Sequence, residues 1–411
     1  MAMTGRDISW LIPTGASQDA RWILAARGIR AFADGFVALL LPIYLLELGF
    51  GPFAIGSIIT STLIGSALLT YWVGLTANRF GRRALLNGAC LLMIATGAAF
   101  ALSTDYWPIF IVAFIGTINP TAGDVSLFLP LEQTVLAQSV KPVDRTALFA
   151  RYSLVGTLLG GVGVLTASIP ESVAHSSSIN HLHATQLMFV LYSVLGIGAL
   201  ALYRQLSPGV EAPTAAPAAL GPSKGIVYRL MALFAIDSFG SGFFVQSMLA
   251  LWLYQRFGLS VATAAAILFW ASICSAVSFL IAVPISKRFG LINTMVFTHL
   301  PANLFLILVP FAPSLPVAIA LLLARSLLSQ MDVPTRTSYV MAVVTPAERP
   351  AAASATAVPR SLAAALSPML AGYLFALSTF GWPLIIGGVL KIVYDLLLLV
   401  QFRRIRPDSE R

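Results

Sequence analysis

Long apolar runs, each near the roughly 20 residues that a helix needs to cross a bilayer, recur along the whole chain with short polar stretches between them. They predict helical spans near 22–49, 53–76, 84–103, 107–137, 143–168 and 184–204, and a second set near 227–256, 260–285, 291–312, 314–344, 349–377 and 381–402. Only one internal connection is long. After Leu206 the chain reads SPGVEAPTAAPAALGPSKG, rich in Pro and Ala, which predicts a flexible linker. The expected organisation is therefore a six-span half over 1–205, a linker over 206–225 and a second six-span half over 226–411. The polar start, MAMTGRDISWLIPTGASQDA, predicts no cleaved signal peptide.

The two halves repeat. AFADGF, ending at Phe36, resembles SFGSGF, ending at Phe243, an offset of 207 residues. Arg79-Phe80-Gly81 returns as Arg288-Phe289-Gly290, an offset of 209, and Asp124-Val125 returns as Asp332-Val333, an offset of 208. Matches at nearly one offset, each in the corresponding span, indicate a duplication. Parallel six-span repeats joined by a linker are a known plan for secondary transporters, with the substrate site at the midplane between them.

Composition sharpens the class. Of 411 residues 58% are hydrophobic and only 10% charged, with a mean hydropathy of +0.87. A soluble chain carries roughly 25% charged residues to solvate its surface, so this one expects lipid as its surroundings. The net charge of +9 does not point to nucleic acid, because the basic residues lie in short clusters between spans rather than along one stripe. Arg79, Arg82, Arg83, Lys141, Arg145, Arg204, Lys224, Arg229, Lys287, Arg288, Arg349, Arg403, Arg404 and Arg406 fall in alternate loops or at the last span's end, whereas the opposite loops hold little beyond Arg256. By the positive-inside rule both termini are expected in the cytoplasm, in a bacterial inner membrane. Cys90 and Cys274 lie inside apolar spans and suggest no disulfide framework.

One loop carries a family signature. Gly74-Leu-Thr-Ala-Asn78-Arg79-Phe-Gly81-Arg82-Arg83 resembles the loop between spans 2 and 3 of the major facilitator superfamily, with a degenerate copy at Pro284-Ile-Ser-Lys287-Arg288-Phe-Gly290. With the twelve-span layout the resemblance covers essentially the whole chain. It implies an all-α polytopic fold of twelve transmembrane helices, built as two six-helix bundles around a central cavity lined mainly by spans 1, 4, 7 and 10. It also implies a monomer without a cofactor. In the family the loop latches the halves, using an acidic residue where Asn78 stands here, so the latch is expected to lack that charge. The span-4 arginine of the family is replaced by Thr117, with Arg325 as its counterpart in the second half. The antiporter signature of span 5 is matched in glycines (Gly156, Gly160, Gly161, Gly163) but not in proline. Ser367-Pro368-Met-Leu-Ala371-Gly372 in span 11 is nearer to it. Gly156, Gly160, Gly161, Pro368 and Gly372 are thus expected to serve helix packing.

Ionisable residues inside the spans are the candidate chemistry, because a charge in hydrocarbon costs on the order of 3 kcal/mol or more. Arg27, Arg30 and Asp34 share one helix face by spacings of three and four. Asp124 and Glu132 lie in span 4, Asp237 and Gln246 in span 7, Arg325, Asp332 and Arg336 in span 10, and Arg360 in span 11. Asp34, Asp124 and Asp332 are candidates for proton or substrate binding, since a desolvated carboxyl can exchange a proton in the working range. Asp34 lies deepest in a cavity-lining span. The remaining candidates for coupling or substrate contact are Asp237, Gln246, Arg325, Arg336 and Arg360. Structural readings stand beside these. Arg27 and Arg30 are near enough to the cytoplasmic end to snorkel. Glu132 could pair with Arg151, Lys391 with Asp395, and Asp124, Asp332 and Arg336 could form a gating or inter-half salt bridge. Pro120, Pro130, Pro334, Pro359 and Pro368 predict bends. His175, His181 and His183 fall in a polar loop, a poor setting for a metal.

The chain has no HExxH, no Ser-centred elbow and no P-loop, so the reading is not an enzyme. The expected function is instead secondary transport of a small organic molecule by alternating access, coupled to protons and exporting. The alternatives are a proton symporter importing an anionic metabolite held by Arg325, Arg336 and Arg360, and a non-transporting membrane sensor.

Overall fold

The structure, a computed structural model, describes residues 17–121, 126–140, 145–211, 220–345 and 348–403. Among them every regular element is helical. The first half contains α1 (Gln18–Glu47), α2 (Pro52–Phe80), α3 (Arg82–Leu102), α4 (Tyr106–Ile115), α5 (Phe128–Gln138), α6 (Arg145–Thr166), α7 (Ile169–Ser176) and α8 (His181–Tyr203). A 3₁₀ turn follows at Pro208–Glu211. The second half contains α9 (Lys224–Gly242), α10 (Gln246–Phe257), α11 (Val261–Phe289), α12 (Leu291–Leu308), α13 (Leu315–Ser329), α14 (Asp332–Val343), α15 (Arg349–Leu377) and α16 (Trp382–Phe402). Eleven stretches of the described residues are long and apolar enough to cross a membrane, and α4 is a shorter apolar helix.

Three predicted spans are not continuous helices. Span 7 stops at Gly242 and restarts at Gln246; span 10 stops at Ser329 and restarts at Asp332; span 4 is divided between α4 and α5. Proline accounts for the second break. Pro334 is the third residue of α14, where a missing N–H costs nothing, whereas inside a continuous span it would remove a hydrogen bond. Glycines favour the first, since Gly240 and Gly242 are weak helix formers. The polar stretch with His175 is also helical rather than a loop.

Two compact units emerge: residues 1–44 with 65–214, and residues 45–64 with 215–411, so the division runs through α1 and α2. In the first unit Ile23, Ala26, Leu86, Cys90, Leu131, Val135, Tyr152 and Tyr203 form a continuous apolar core. In the second, Val227, Leu230, Phe234, Met295, Val296, Tyr339, Leu398 and Phe402 do the same. Leu102, Trp107, Leu280 and Val400 are exposed; large apolar side chains of this kind suit contact with lipid tails.

The duplication is visible in the backbone. Gly81 caps α3 at φ 79° and Gly290 caps α12 at φ 84°, a conformation open to glycine. Packing repeats as well. A Cβ on Gly35 would overlap the Gly160 carbonyl of α6, and one on its counterpart Gly242 would overlap the Ala364 carbonyl and Ser367 of α15. The repeated glycine thus closes the same helix contact in both units. Gly163 lies equally close to Phe32, Gly160 faces Ala31, and Gly161 is buried in the same helix. In the second unit α2 meets α15 where Gly56 faces the Pro368 carbonyl and Gly372 faces that of Pro52. There the N–H of Met369, one residue past Pro368, donates to Thr60 Oγ1 at 3.0 Å. That is how a neighbouring helix satisfies backbone near a membrane proline.

Candidate functional site

Each unit holds a buried ionic centre. In the first, Glu132 of α5 is fully buried and is surrounded by donors from three helices. Arg30 of α1 forms an ion pair with its Oε2. Tyr152 of α6 donates to the same oxygen at 2.6 Å, and Tyr203 of α8 donates to Oε1 at 2.7 Å. Arg30 Nε in turn donates to Tyr203 Oη at 3.0 Å, and its guanidinium lies 4.0 Å from the Phe128 ring centre. Every strong hydrogen-bonding group in the cluster is matched, which is the condition under which a buried ion pair can persist.

This arrangement corrects two sequence expectations. Arg30 does not snorkel; it is buried and committed to Glu132, and the partner of Glu132 is not Arg151, whose Nη1 makes no hydrogen bond. Arg27 is buried too. Its guanidinium fits against Gly156, where any Cβ would collide with it, and stands 5.1 Å from the Tyr152 ring centre. Its Nε and Nη1 have no hydrogen-bond partner. Asp34, one turn beyond Arg30, is only 4% exposed and makes no hydrogen bond or ion pair among the described residues. Asp124 lies outside the described residues.

In the second unit Asp237 of α9 is the hub. Lys391 of α16 donates to its Oδ1 at 2.6 Å and to Ser241 Oγ at 2.7 Å. Arg336 of α14 donates to its Oδ2 at 3.1 Å and lies 3.5 Å from Asp332 one turn earlier. Arg360 Nε donates to Ser238 Oγ at 3.2 Å. Arg325 stacks 4.7 Å from the Phe244 ring centre with its Nε unpartnered, and Gln246, the first residue after the span-7 break, has an unpartnered Nε2. Asp237, Asp332 and Arg336 are thus brought together, while Arg325, Arg360 and Gln246 stand apart from that chain of pairs.

Lys391 and Asp395 do not neutralise each other as their spacing suggests. Lys391 reaches α9, whereas Asp395 turns to α12 and meets His299 Nδ1 at 2.9 Å and Asn303 Nδ2 at 3.0 Å. His299 and Asn303 were missed in the sequence reading. His299 is a lone imidazole inside an apolar span, and the rule applied to the carboxylates would have found it.

The signature loop is anchored inside its own unit. Gly81 ends α2, and the N–H groups of Arg82 and Arg83, the first of α3, donate to the Glu211 carboxylate at 2.6 and 2.8 Å. Arg82 Nη1 donates to the Val210 carbonyl. An anion on the first turn of a helix meets unpaired N–H groups and the positive end of the dipole. Gly74 and Arg79 are exposed, and the Asn78 side chain lies outside the described residues. At the other end of the linker Glu348 does similar work. It accepts from the backbone of Gly221, from Ser223 Oγ at 2.5 Å and from Thr345 Oγ1 at 2.6 Å. These donors hold its carboxyl well below the usual range, at about 2.

Comparison with known proteins fits this architecture. The chain is 23% identical to the uncharacterized membrane protein YJR124C of Saccharomyces cerevisiae, over 94% of each protein. It is 31% identical to the arabinose-proton symporter of Bacillus subtilis over 32% of this chain and 26% of that protein. The fold resembles the nucleoside transporter NupG, with a TM-score of 0.72 at 15% identity over 94% of this chain and all of that one. It also resembles an inward-facing, occupied bacterial homologue of the human lysosomal transporter Spinster, with a TM-score of 0.69 at 14% identity over 93% and 96% of the two chains. The family model of the Major Facilitator Superfamily matches residues 23–236 and again 230–411. The chain is a multi-pass membrane transporter, not an enzyme, and belongs to the Major Facilitator Superfamily.

Proposed function

We propose that this transporter is a proton-coupled secondary carrier of a small organic solute, that it works by alternating access as a monomer, and that Asp34 takes up and releases the proton. The supporting observation is a difference in partnering. Glu132, Asp237, Asp332 and Asp395 are all engaged by cations or donors, whereas Asp34 is equally buried and has no hydrogen bond or ion pair among the described residues. A carboxyl without a fixed counter-ion is free to lose its charge by binding a proton, which a carboxylate locked in an ion pair is not. Arg27 and Arg30 on the same helix face favour the return of the charge.

The solute class is drawn from relatives. The arabinose-proton symporter, the D-xylose transporter of Levilactobacillus brevis and the nucleoside transporter NupG support a small hydroxylated molecule. Gly156, Gly160 and Gly163 of α6 pack against α1, which accounts for them without reference to the direction of transport. Export is the first reading of direction; the alternative, import by proton symport, draws on the Bacillus relative, an arabinose-proton symporter. The Lys and Arg bias of alternate loops supports a bacterial inner membrane with both termini cytoplasmic.

The test is flux in membrane vesicles under an imposed pH gradient, with pentoses, nucleosides and organic cations as probes. In everted vesicles with an acid lumen an exporter accumulates the solute. A symporter instead concentrates it in right-side-out vesicles with acid outside. Either form of accumulation must be absent from vesicles lacking the protein and lost in Asp34→Asn. Accumulation that survives Asp34→Asn removes Asp34 from the coupling path, and flux indifferent to the gradient removes proton coupling.

A further inference from the structure

Between α12 and α16 lies a second polar cluster for which proton-coupled transport through Asp34 has no use. His299 of α12 is 2% exposed, and Asp395 of α16 and Asn303 of α12 are fully buried. His299 Nδ1 and Asp395 Oδ1 are 2.9 Å apart, and Asn303 Nδ2 donates to Oδ2 at 3.0 Å. The imidazole and the Tyr394 ring are nearly perpendicular, with ring centres 6.1 Å apart. A polar triad of this kind in the apolar contact between two membrane helices is costly to bury. Packing alone would be served by aliphatic side chains.

We propose that His299 and Asp395 form a second proton-binding site of this transporter, linked through one turn of α16 to the Lys391–Asp237–Arg336 ion pairs. In one charge state a single proton lies between Nδ1 and Oδ1, and the pair carries one negative charge. A second proton binds at Nε2, the ring nitrogen with no hydrogen bond among the described residues, and the pair becomes neutral overall. Lys391 stands one turn before Asp395 and holds Asp237, so gain or loss of that negative charge is felt by the ion pairs that join α9, α14 and α16.

The groups around the site support the linkage. From α16 they are Asp395, Lys391 and Tyr394; from α9, Asp237; and from α14, Asp332 and Arg336, which interact with Tyr394 and Asp237. The charged groups of α11, Lys287 and Arg288, are exposed at its C-terminal end, and the one charged group of α13, Arg325, is stacked on Phe244. Asp395 is thus the acceptor nearest to His299, and Lys391 is the cation nearest to Asp395 along α16.

The chain has four histidines, and the other three, His175, His181 and His183, lie in and around α7 and the start of α8. Replacing those three by Gln leaves a full-length protein with one imidazole, which can be labelled with ¹³C and ¹⁵N and followed by NMR in lipid nanodiscs without any solute. The expected result is that acidification moves the His299 ring resonances from those of a neutral imidazole to those of an imidazolium. That change is lost in Asp395→Asn. In Lys391→Met the proton affinity changes roughly tenfold or more, as expected for one unit charge removed a turn away at an effective dielectric near 20. Ring resonances that stay those of a neutral imidazole at every pH at which the protein is folded overturn the site, whatever the variants do. A titration unchanged in Asp395→Asn overturns the pairing, and one unchanged in Lys391→Met overturns the link to Asp237. The inference is independent of Asp34, so the gradient experiment can fail while this one succeeds, and the reverse.

Discussion

Arg30 and Asp237 stand 207 residues apart, at the same place in the two repeats, and carry opposite charges. Each is the buried residue through which the first helix of its unit is tied to the fourth span. Arg30 meets Glu132 of α5, and Asp237 meets Arg336 of α14. Both halves thus tie their first span to their fourth through a buried ion pair, with the charges in opposite order.

Breaking the first pair on one side should be severe. Arg30→Met leaves Glu132 with two tyrosine donors and no cation, and Glu132→Leu leaves a buried guanidinium. Each should lower stability by about 3–5 kcal/mol, while the double variant should recover most of the loss. Thermal unfolding of the purified protein in detergent measures both. A double variant no more stable than the singles would show that the hydrogen-bonded tyrosines, and not the charge balance, hold the cluster.

At the second pair the outcome is less symmetric, because Asp237 serves two cations. Asp237→Asn strands Lys391 and Arg336 together and should cost about 3 kcal/mol or more. Adding Lys391→Met removes one stranded charge and should recover part of it. Adding Arg336→Met instead should recover less, because Arg336 keeps Asp332 as a partner at 3.5 Å. Melting temperatures of the three variants give the order.

Close helix approach in the first unit rests on Gly35. Gly35→Val places a side chain on the Gly160 carbonyl, and backbone cannot yield as a side-chain tip can. The expected penalty is about 1–3 kcal/mol, with larger values where α1 and α6 are forced apart. Gly74→Ala in the signature loop meets nothing within 4 Å and should leave the melting temperature unchanged. Comparing the two by thermal scan separates packing glycines from the rest.

Glu348 gives a pH signature outside the membrane spans. Its carboxyl is drawn down from 4.5 to about 2 by Ser223, Thr345 and Gly221. A depressed carboxylate contributes its stability in full above the unfolded value and loses it as pH falls through the folded one. The melting-temperature difference between the parent and Glu348→Gln should be constant above about pH 5 and should shrink between about pH 4.5 and pH 2. A difference that does not change with pH would mean that Glu348 acts through packing.

Much of this architecture is legible in the residues because lipid imposes a simple demand: an apolar stretch of sufficient length for every crossing. The breaks in spans 7 and 10 escape that logic. Phe243, Phe244 and Val245 are as apolar as the helices around them, so hydrophobicity runs straight through the interruption. The presence of buried charge was equally readable, but its pairing was not. Glu132 and Arg151 lie near each other in sequence and Lys391 and Asp395 are one turn apart, yet the real partners are 102 residues away at Arg30 and 154 away at Asp237. Side chains as long as Lys and Arg choose among several neighbouring helices, and the choice is made by tertiary packing. Glu211 and Glu348 were passed over because polar residues outside the spans show no pattern that separates a helix cap from a solvated surface.

Those two glutamates have a mechanical consequence. One fastens the start of the linker to the head of α3, and the other fastens its end beside the heads of α9 and α15. Tension along the chain between them is borne first at these two clips and not by the ends of the spans. The helix ends are held by these contacts whatever the length of the sequence between them. A tag inserted in that sequence is therefore expected to leave the thermal unfolding of the helices on either side unchanged.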